Sequence, residues 1–406
     1  MTSRRSRVRR VFLDIEPLRR DRDFRWLWAG QAVSGIGNQI TRLALPYQVY
    51  SQTGSTLAIA ALTFCQLVPI LVFSLGAGSI VDSVDRRRLL RRTQVGLMIC
   101  SGILVLLASQ PSVPLIALFA VAFVSAGLGS LDQPARSSSI PRLVPAERLP
   151  AAIALGQLNF QLASVLGPAL AGLLIATIGL PGAYLVDVLS FAASFLALFA
   201  ISPLPPLAGA ARPGLAAIRE GLRFARQRRV ILATYVIDLD AMIFGMPTSL
   251  FPALALDVFH AGPQGLGLLA AAPSVGALLG ALLSGWVSSV RRVGLAVIVA
   301  VAIWGLAITL FGLSLFSFAL AAMFLAIAGA ADVLSAVFRQ TIVQLAAPDR
   351  LRGRISAMNL LVVTSGPRIG DIEAAAVASL IGPQASVISG GVLCLLGLVA
   401  VVRRFP

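Results

Sequence analysis

Residues 293–313 read Val293-Gly-Leu-Ala-Val-Ile-Val-Ala-Val-Ala-Ile-Trp-Gly-Leu-Ala-Ile-Thr-Leu-Phe-Gly-Leu313, 21 positions without one charged side chain, directly after Arg291 and Arg292. As a helix rising about 1.5 Å per residue, this run is about 30 Å long, the thickness of a bilayer's hydrocarbon core. Lipid offers no partner to a bare backbone amide, so such a stretch crosses a membrane as helix. The whole chain shares its character. Of 406 residues, 57% are hydrophobic and 12% charged, and the mean hydropathy is +0.89. A soluble domain carries about twice that share of charge. A water-soluble fold is excluded.

Working outward in both directions, the same rule gives twelve spans: 24–50, 57–81, 89–108, 115–131, 151–178 and 183–201, then 230–256, 266–290, 293–313, 315–338, 355–381 and 385–402. All 33 basic residues are Arg, and the formal net charge is +16. Thirty-one of them fall in the arm through Arg25, the tail and alternate connections or the first residues beside them, all on one side if the spans alternate. Basic loops stay in the cytoplasm. Both termini are therefore expected there, in a multi-pass protein of the cell membrane. The Arg-rich arm, 1–23, is too long, and its following apolar run too extended, for a cleaved signal peptide, so it reads as retained. Its arginines set topology and can also rest on anionic lipid. The exceptions to the loop pattern, Arg42 and Arg368, lie inside spans.

Several functions fall away on composition. Basic residues scattered in short bursts do not make a nucleic-acid surface. Cys65, Cys100, Cys394 and His260 have neither metal-ligand spacing nor the pattern of a disulfide framework, so no metal, cofactor or nucleophile-and-base site is expected. A chain without Lys cannot build a Gly-x-x-x-x-Gly-Lys phosphate loop, which leaves an ion gradient or a partner as the energy source. The chain reads as a non-enzyme.

The connection 202–229 opens with Pro203-Leu-Pro-Pro and continues as a basic amphipathic helix suited to the membrane surface. It separates 24–201 from 230–402, leaving 403–406 as a tail. The two parts echo each other: Arg136 precedes Pro145 by nine residues, Arg339 precedes Pro348 by nine, and the offset is 203. The expected fold is thus an all-α membrane protein of twelve transmembrane helices in two pseudo-symmetric six-helix halves. Duplicated halves around a path are a transporter architecture, opening to each side in turn.

Between spans two and three stands Gly78-Ser-Ile-Val-Asp82-Ser83-Val-Asp85-Arg86-Arg87. It resembles the cytoplasmic signature of the major facilitator superfamily at Gly78, Asp82, Arg86 and Arg87, and departs from it at Ser83 and Asp85. Span five carries Gly167-Pro168 and Gly172, similar to that superfamily's antiporter signature, with Ala154 and Ala163 in place of its upstream glycines. Longer strings, Pro134-Ala135-Arg136 to Pro145, Phe338-Arg339-Gln340 to Arg354, Thr364 to Asp371 and Asp187 to Phe191, resemble the branch holding the enterobactin exporter and the macrolide and tetracycline efflux proteins. This resemblance covers nearly the whole chain. It implies the major facilitator fold and export of a small molecule, siderophore or drug-like, in exchange for protons by a monomer. An uptake permease or a ligand-binding sensor on the same fold is the alternative. The resemblance further implies a latch of Asp82 against the start of span eleven, and gate roles for Arg136 and Arg339.

Charges inside the bilayer are costly, about 2.5–3.5 kcal/mol on insertion scales, so those retained are functional candidates. Asp238 and Asp240 lie about 12 and 15 Å into span seven. Two residues is about 200° of helix, so they face different ways: one toward the path, the other toward a neighbouring helix, or both in structural roles. In span eleven, Arg368 and Asp371 are spaced to pair on one face, which leaves Glu373 as the unpaired acid. Arg42, near the outer end of span one, either snorkels outward or faces inward and attracts an anion.

Overall fold

The computed structural model describes residues 14–206, 223, 228–346 and 352–405, without the side chains of 74–79, 82, 288, 352–358, 360 and 361. The first part of the arm, nearly all of the expected amphipathic helix and Pro348 lie outside the described residues. So does the side chain of Asp82, and with it the expected latch.

Within these limits the chain is helical, with no strand among the described residues. After a short helix at Glu16–Arg20 come α1 (Arg22–Thr53), α2 (Thr56–Ser83), α3 (Arg86–Ala108) and α4 (Leu115–Leu143). A continuous helical segment, Leu149–Ala197, is broken at Gly179, whose φ of 73° and ψ of 177° suit glycine alone. Pro181 follows at once, preorganised for a helix start. The limbs 149–178 and 180–197 are α5 and α6. Then follow α7 (Arg229–Phe244), α8 (Gly262–Leu282), α9 (Val293–Leu313), α10 (Phe318–Ala346), α11 (Arg352–Ile381) and α12 (Pro383–Arg404).

Local chemistry sets the ends. Ser55 accepts from the Ala58 N–H at 3.4 Å to start α2, and Asp85 accepts from the Arg88 N–H at 2.9 Å to start α3. Asp85, a departure from the superfamily signature, is thus a helix cap. α7 stops before Pro247, and the chain continues through a 3-10 turn (Thr248–Leu250), a helical turn (Phe251–Ala253) and a π turn (Leu254–Val258).

Among the described residues, nine segments are long and apolar enough to cross a membrane, the broken 149–197 helix counting within one of them. α1 and α11 are as long, at 32 and 30 residues, but stand outside the nine. These are the helices that carry Arg42 and the Arg368, Asp371 and Glu373 group.

Large apolar side chains cover the outside. On α3, Ile99, Ile103 and Leu106 recur at helical spacing and are all exposed, as are Leu282, Leu283, Phe316 and Leu380 elsewhere. Patches on this scale belong against lipid rather than water. Inside, buried side chains gather into two large clusters. One includes Ile40, Leu62, Leu104, Leu118 and Tyr184; the other includes Ile237, Leu269, Trp304, Phe311, Leu325 and Val387. The first joins helices before residue 200, and the second joins mainly helices after 230 and reaches Ala60 on α2. Between them run two seams, α2 along α11 and α5 along α8, with α1 touching the turns after α7.

Candidate functional site

Four groups of polar side chains interrupt the apolar interior. The first sits at the arginine-rich end of α3. Arg87 donates through Nε and Nη2 to the carbonyls of Leu198 and Phe199 at 3.0 and 2.7 Å. Arg91 donates to Leu198 O and lies over the Phe199 ring at 3.8 Å. These carbonyls end α6 and lack helical partners, and a helix C-terminus favours cations. Arg86 is buried and donates to Ser138 O at 3.3 Å. The matched arginines therefore tie the start of α3 to α4 and to the end of α6. Gly78 lies within α2.

The second group is a pair of buried ionic nodes, one in each cluster of helices. On α4, Arg136 Nε meets Asp132 Oδ2 at 2.6 Å and donates through Nη2 to Ser194 on α6 at 3.2 Å. Thr93 and Gln94 of α3 donate to the other carboxylate oxygen at 2.7 and 3.0 Å. On α10, 203 residues later, Arg339 Nη1 meets Asp238 Oδ1 of α7 at 2.8 Å, with Asp332 Oδ1 3.8 Å from Nη2. Sequence spacing gave no sign of the shorter contact to Asp238. Asp240, two residues on, turns to α12, where it lies beside Cys394 and packs against Gly397. It does not share Asp238's surroundings.

A third buried carboxylate, Asp187 on α6, accepts from Thr41 of α1 at 2.6 Å and Ser101 of α3 at 2.7 Å through Oδ2, and from Ser190 at 3.3 Å through Oδ1. Three hydroxyls and no cation hold it. The hydroxyl partners were not readable from spacing, because they come from three helices.

The last group stands where α1, α2, the break after α7 and α11 meet. Arg368 Nη1 donates to Gln66 Oε1 at 2.6 Å. Asp371 does not form the expected direct pair with Arg368. Its Oδ1 accepts from Thr248 Oγ1 at 2.5 Å and from the Ser249 N–H at 2.8 Å, while its own carbonyl accepts from Ser249 Oγ at 2.8 Å. The cause is local: the 3-10 turn after Pro247 begins with orphan N–H groups, and a carboxylate satisfies them as a cap does. Arg42 is exposed but lies within electrostatic reach of Asp371 and Arg368 on α11. Glu373 is half-buried and has no charged group acting on it. Toward the end of α1, Tyr50 donates its hydroxyl to Asp257 in the π turn.

The Gly167-Pro168-Gly172 stretch of α5 is a packing surface. A Cβ on Gly172 would lie 2.9 Å from Gly267 Cα on α8, and one on Gly267 would lie 2.6 Å from Pro168 O. Gly167 is pressed against Gln39 of α1. Small residues let two backbones touch in a membrane. Gln161 extends the same seam by donating to Ser274 O at 3.3 Å. Phe251 is core, whereas Phe64 and Phe160 are exposed. Trp28 donates to Leu155 O at 2.9 Å.

No group of three or more His, Cys, Asp or Glu among the described residues is placed to hold a metal ion. Charged pairs, buried carboxylates and seams of small residues suit binding and conformational change. Residues 14–405 match the family described as transmembrane secretion effector, and the chain belongs to that family of major facilitator transporters. It is 32% identical to the multidrug efflux pump Tap of Mycolicibacterium fortuitum, over 91% of this chain and 92% of that one. It is 28% identical to the enterobactin exporter EntS of Citrobacter koseri, over 97% and 95%. A transporter of the POT family, solved in complex with 5-aminolevulinic acid, shares the fold with a TM-score of 0.75 at 14% identity, covering 95% of this chain and 96% of that one. The protein is a membrane transporter, not an enzyme.

Proposed function

We propose that this chain exports a small molecule from the cytoplasm in exchange for protons, by alternating access between 24–201 and 230–402. One observation carries the reading. The contacts that cross between these parts include Tyr50 with Asp257, Gly172 with Gly267, and Arg368 with Gln66 in or near the half of the bundle at the Tyr50 end, with Gln161 to Ser274 near mid-bundle. At the opposite end the two ionic nodes, Asp132 with Arg136 and Asp238 with Arg339, close within their own part. Such a pattern suits a transporter closed at one face and open at the other.

Twelve spans follow when the broken 149–197 helix counts as two and the charged α1 and α11 join the apolar segments. On the positive-inside rule both termini are cytoplasmic, and the Tyr50 end faces outward. The working unit is a monomer in lipid, whose carried protons bind among Asp238, Asp371 and Glu373. Outward direction and a siderophore or drug-like cargo are supported by relatives named as an enterobactin exporter and a multidrug efflux pump.

Everted membrane vesicles energised by respiration test this. Accumulation of an added siderophore, macrolide or tetracycline is expected inside them, and a protonophore abolishes it. Accumulation only in right-side-out vesicles establishes uptake instead; ligand binding without movement in either orientation establishes a sensor.

A further inference from the structure

We infer that the space between α1, α2, the break after α7 and α11 is an anion site, at which Arg42 and Arg368 receive the carboxylate or similar acidic group of an organic cargo. The inference deepens the transport reading above and relies on it only for calling the ligand a cargo.

Depth brings the groups to one level. Arg42 lies eight residues inside Tyr50, about 12 Å; Gln66 lies ten residues into α2, about 15 Å; and Arg368 lies 13 residues before the end of α11, about 20 Å. The Arg368 to Gln66 contact joins two of the three directly. Arg42 is exposed, and no hydrogen bond or ion pair to it occurs among the described residues, although it lies within electrostatic reach of both Arg368 and Asp371.

Charge counting follows. Two guanidinium groups face one carboxylate, and that carboxylate is engaged by Thr248 and Ser249. Glu373 stands about 200° around α11 from Asp371 and acts on none of them. Asp187, reached from α1 through Thr41, is held by hydroxyls on the other side. Asp238 and Asp332 belong to Arg339. The site is left with one net positive charge among membrane-spanning helices, where an added anion is favoured. A guanidinium fork matches the two oxygens of a carboxylate. Gln66, whose Oε1 serves Arg368, keeps its amide N–H groups to donate to the same ligand, and Thr248 is exposed beside it.

The test uses the full chain in phosphatidylcholine nanodiscs, which hold no anionic lipid. Binding of naphthoate and of its neutral counterpart naphthamide is measured by calorimetry. The parent is expected to prefer the anion by about tenfold or more. That preference disappears in Arg42→Gln and Arg368→Gln and returns in part with Arg42→Lys, each variant first shown to melt cooperatively. Should Arg42→Gln not fold, Arg368→Gln decides. A parent without the preference, including one that binds neither probe, overturns the inference, as does a preference that survives the substitutions. Binding requires neither gradient nor direction, so a failed vesicle experiment removes the exporter reading and leaves this site standing, and the reverse also holds.

Discussion

Arg339 on α10 and Asp238 on α7 stand 2.8 Å apart with side chains 9% and 5% exposed, an ion pair shut away from solvent. Removing one member of such a pair strands the other. Asp238→Leu and Arg339→Met are each expected to destabilise the folded protein by about 3–5 kcal/mol, whereas the two changes together recover much of the loss. Thermal unfolding in detergent reads this cycle. Strictly additive losses would show that the two side chains do not support each other.

The carboxylate two residues on gives the contrast. Asp240 contacts Cys394 and Gly397 of α12, away from the α1–α11 space. Asp240→Asn keeps the shape and the hydrogen-bonding capacity, so vesicle transport is expected within about threefold of the parent, with stability lowered by about 1 kcal/mol. A complete loss of proton-dependent transport in a well-folded Asp240→Asn protein contradicts its placement here.

Tyr50→Phe deletes one hydrogen bond, to Asp257, and nothing else of size. Such a bond is worth about 0.5–1.5 kcal/mol net, so the closed state should lose population by about two- to tenfold. In a cysteine-free background, a cysteine at Leu43 is expected to react faster with a membrane-impermeant maleimide added from the Tyr50 face. An unchanged rate would show that this contact does not hold the mouth shut.

Gly172→Val places methyl groups where the backbone of α8 already stands. Overpacking of this kind costs about 1–3 kcal/mol and forces the helices apart. We expect a lower melting temperature and slower transport, with Gly172→Ala intermediate. Wild-type behaviour in Gly172→Val would require a wider α5–α8 gap than the one described.

Length and hydropathy read from sequence gave each helix its depth, and Gly179 and Pro181 marked where one apolar run must bend. Azimuth was harder. A two-residue step is enough to separate Asp238 from Asp240, because helical geometry fixes relative angle within one helix. It says nothing about which neighbour each angle meets, so the Arg339 and Cys394 partners were hidden. The spacing of Arg368 and Asp371 misled for a related reason: proximity on one helix competes with donors arriving from another, and the open turn at Thr248 wins. Pro247 was the only local hint that such a turn exists.

Where Gly172 meets Gly267 there is no side chain between two main chains. Interlocked leucines must unmesh before one rod can roll over another, and each notch they leave is a barrier. Bare backbones have no teeth. This crossing can therefore serve as the bearing of the machine, the point that moves least in place and turns most freely while the far ends swing.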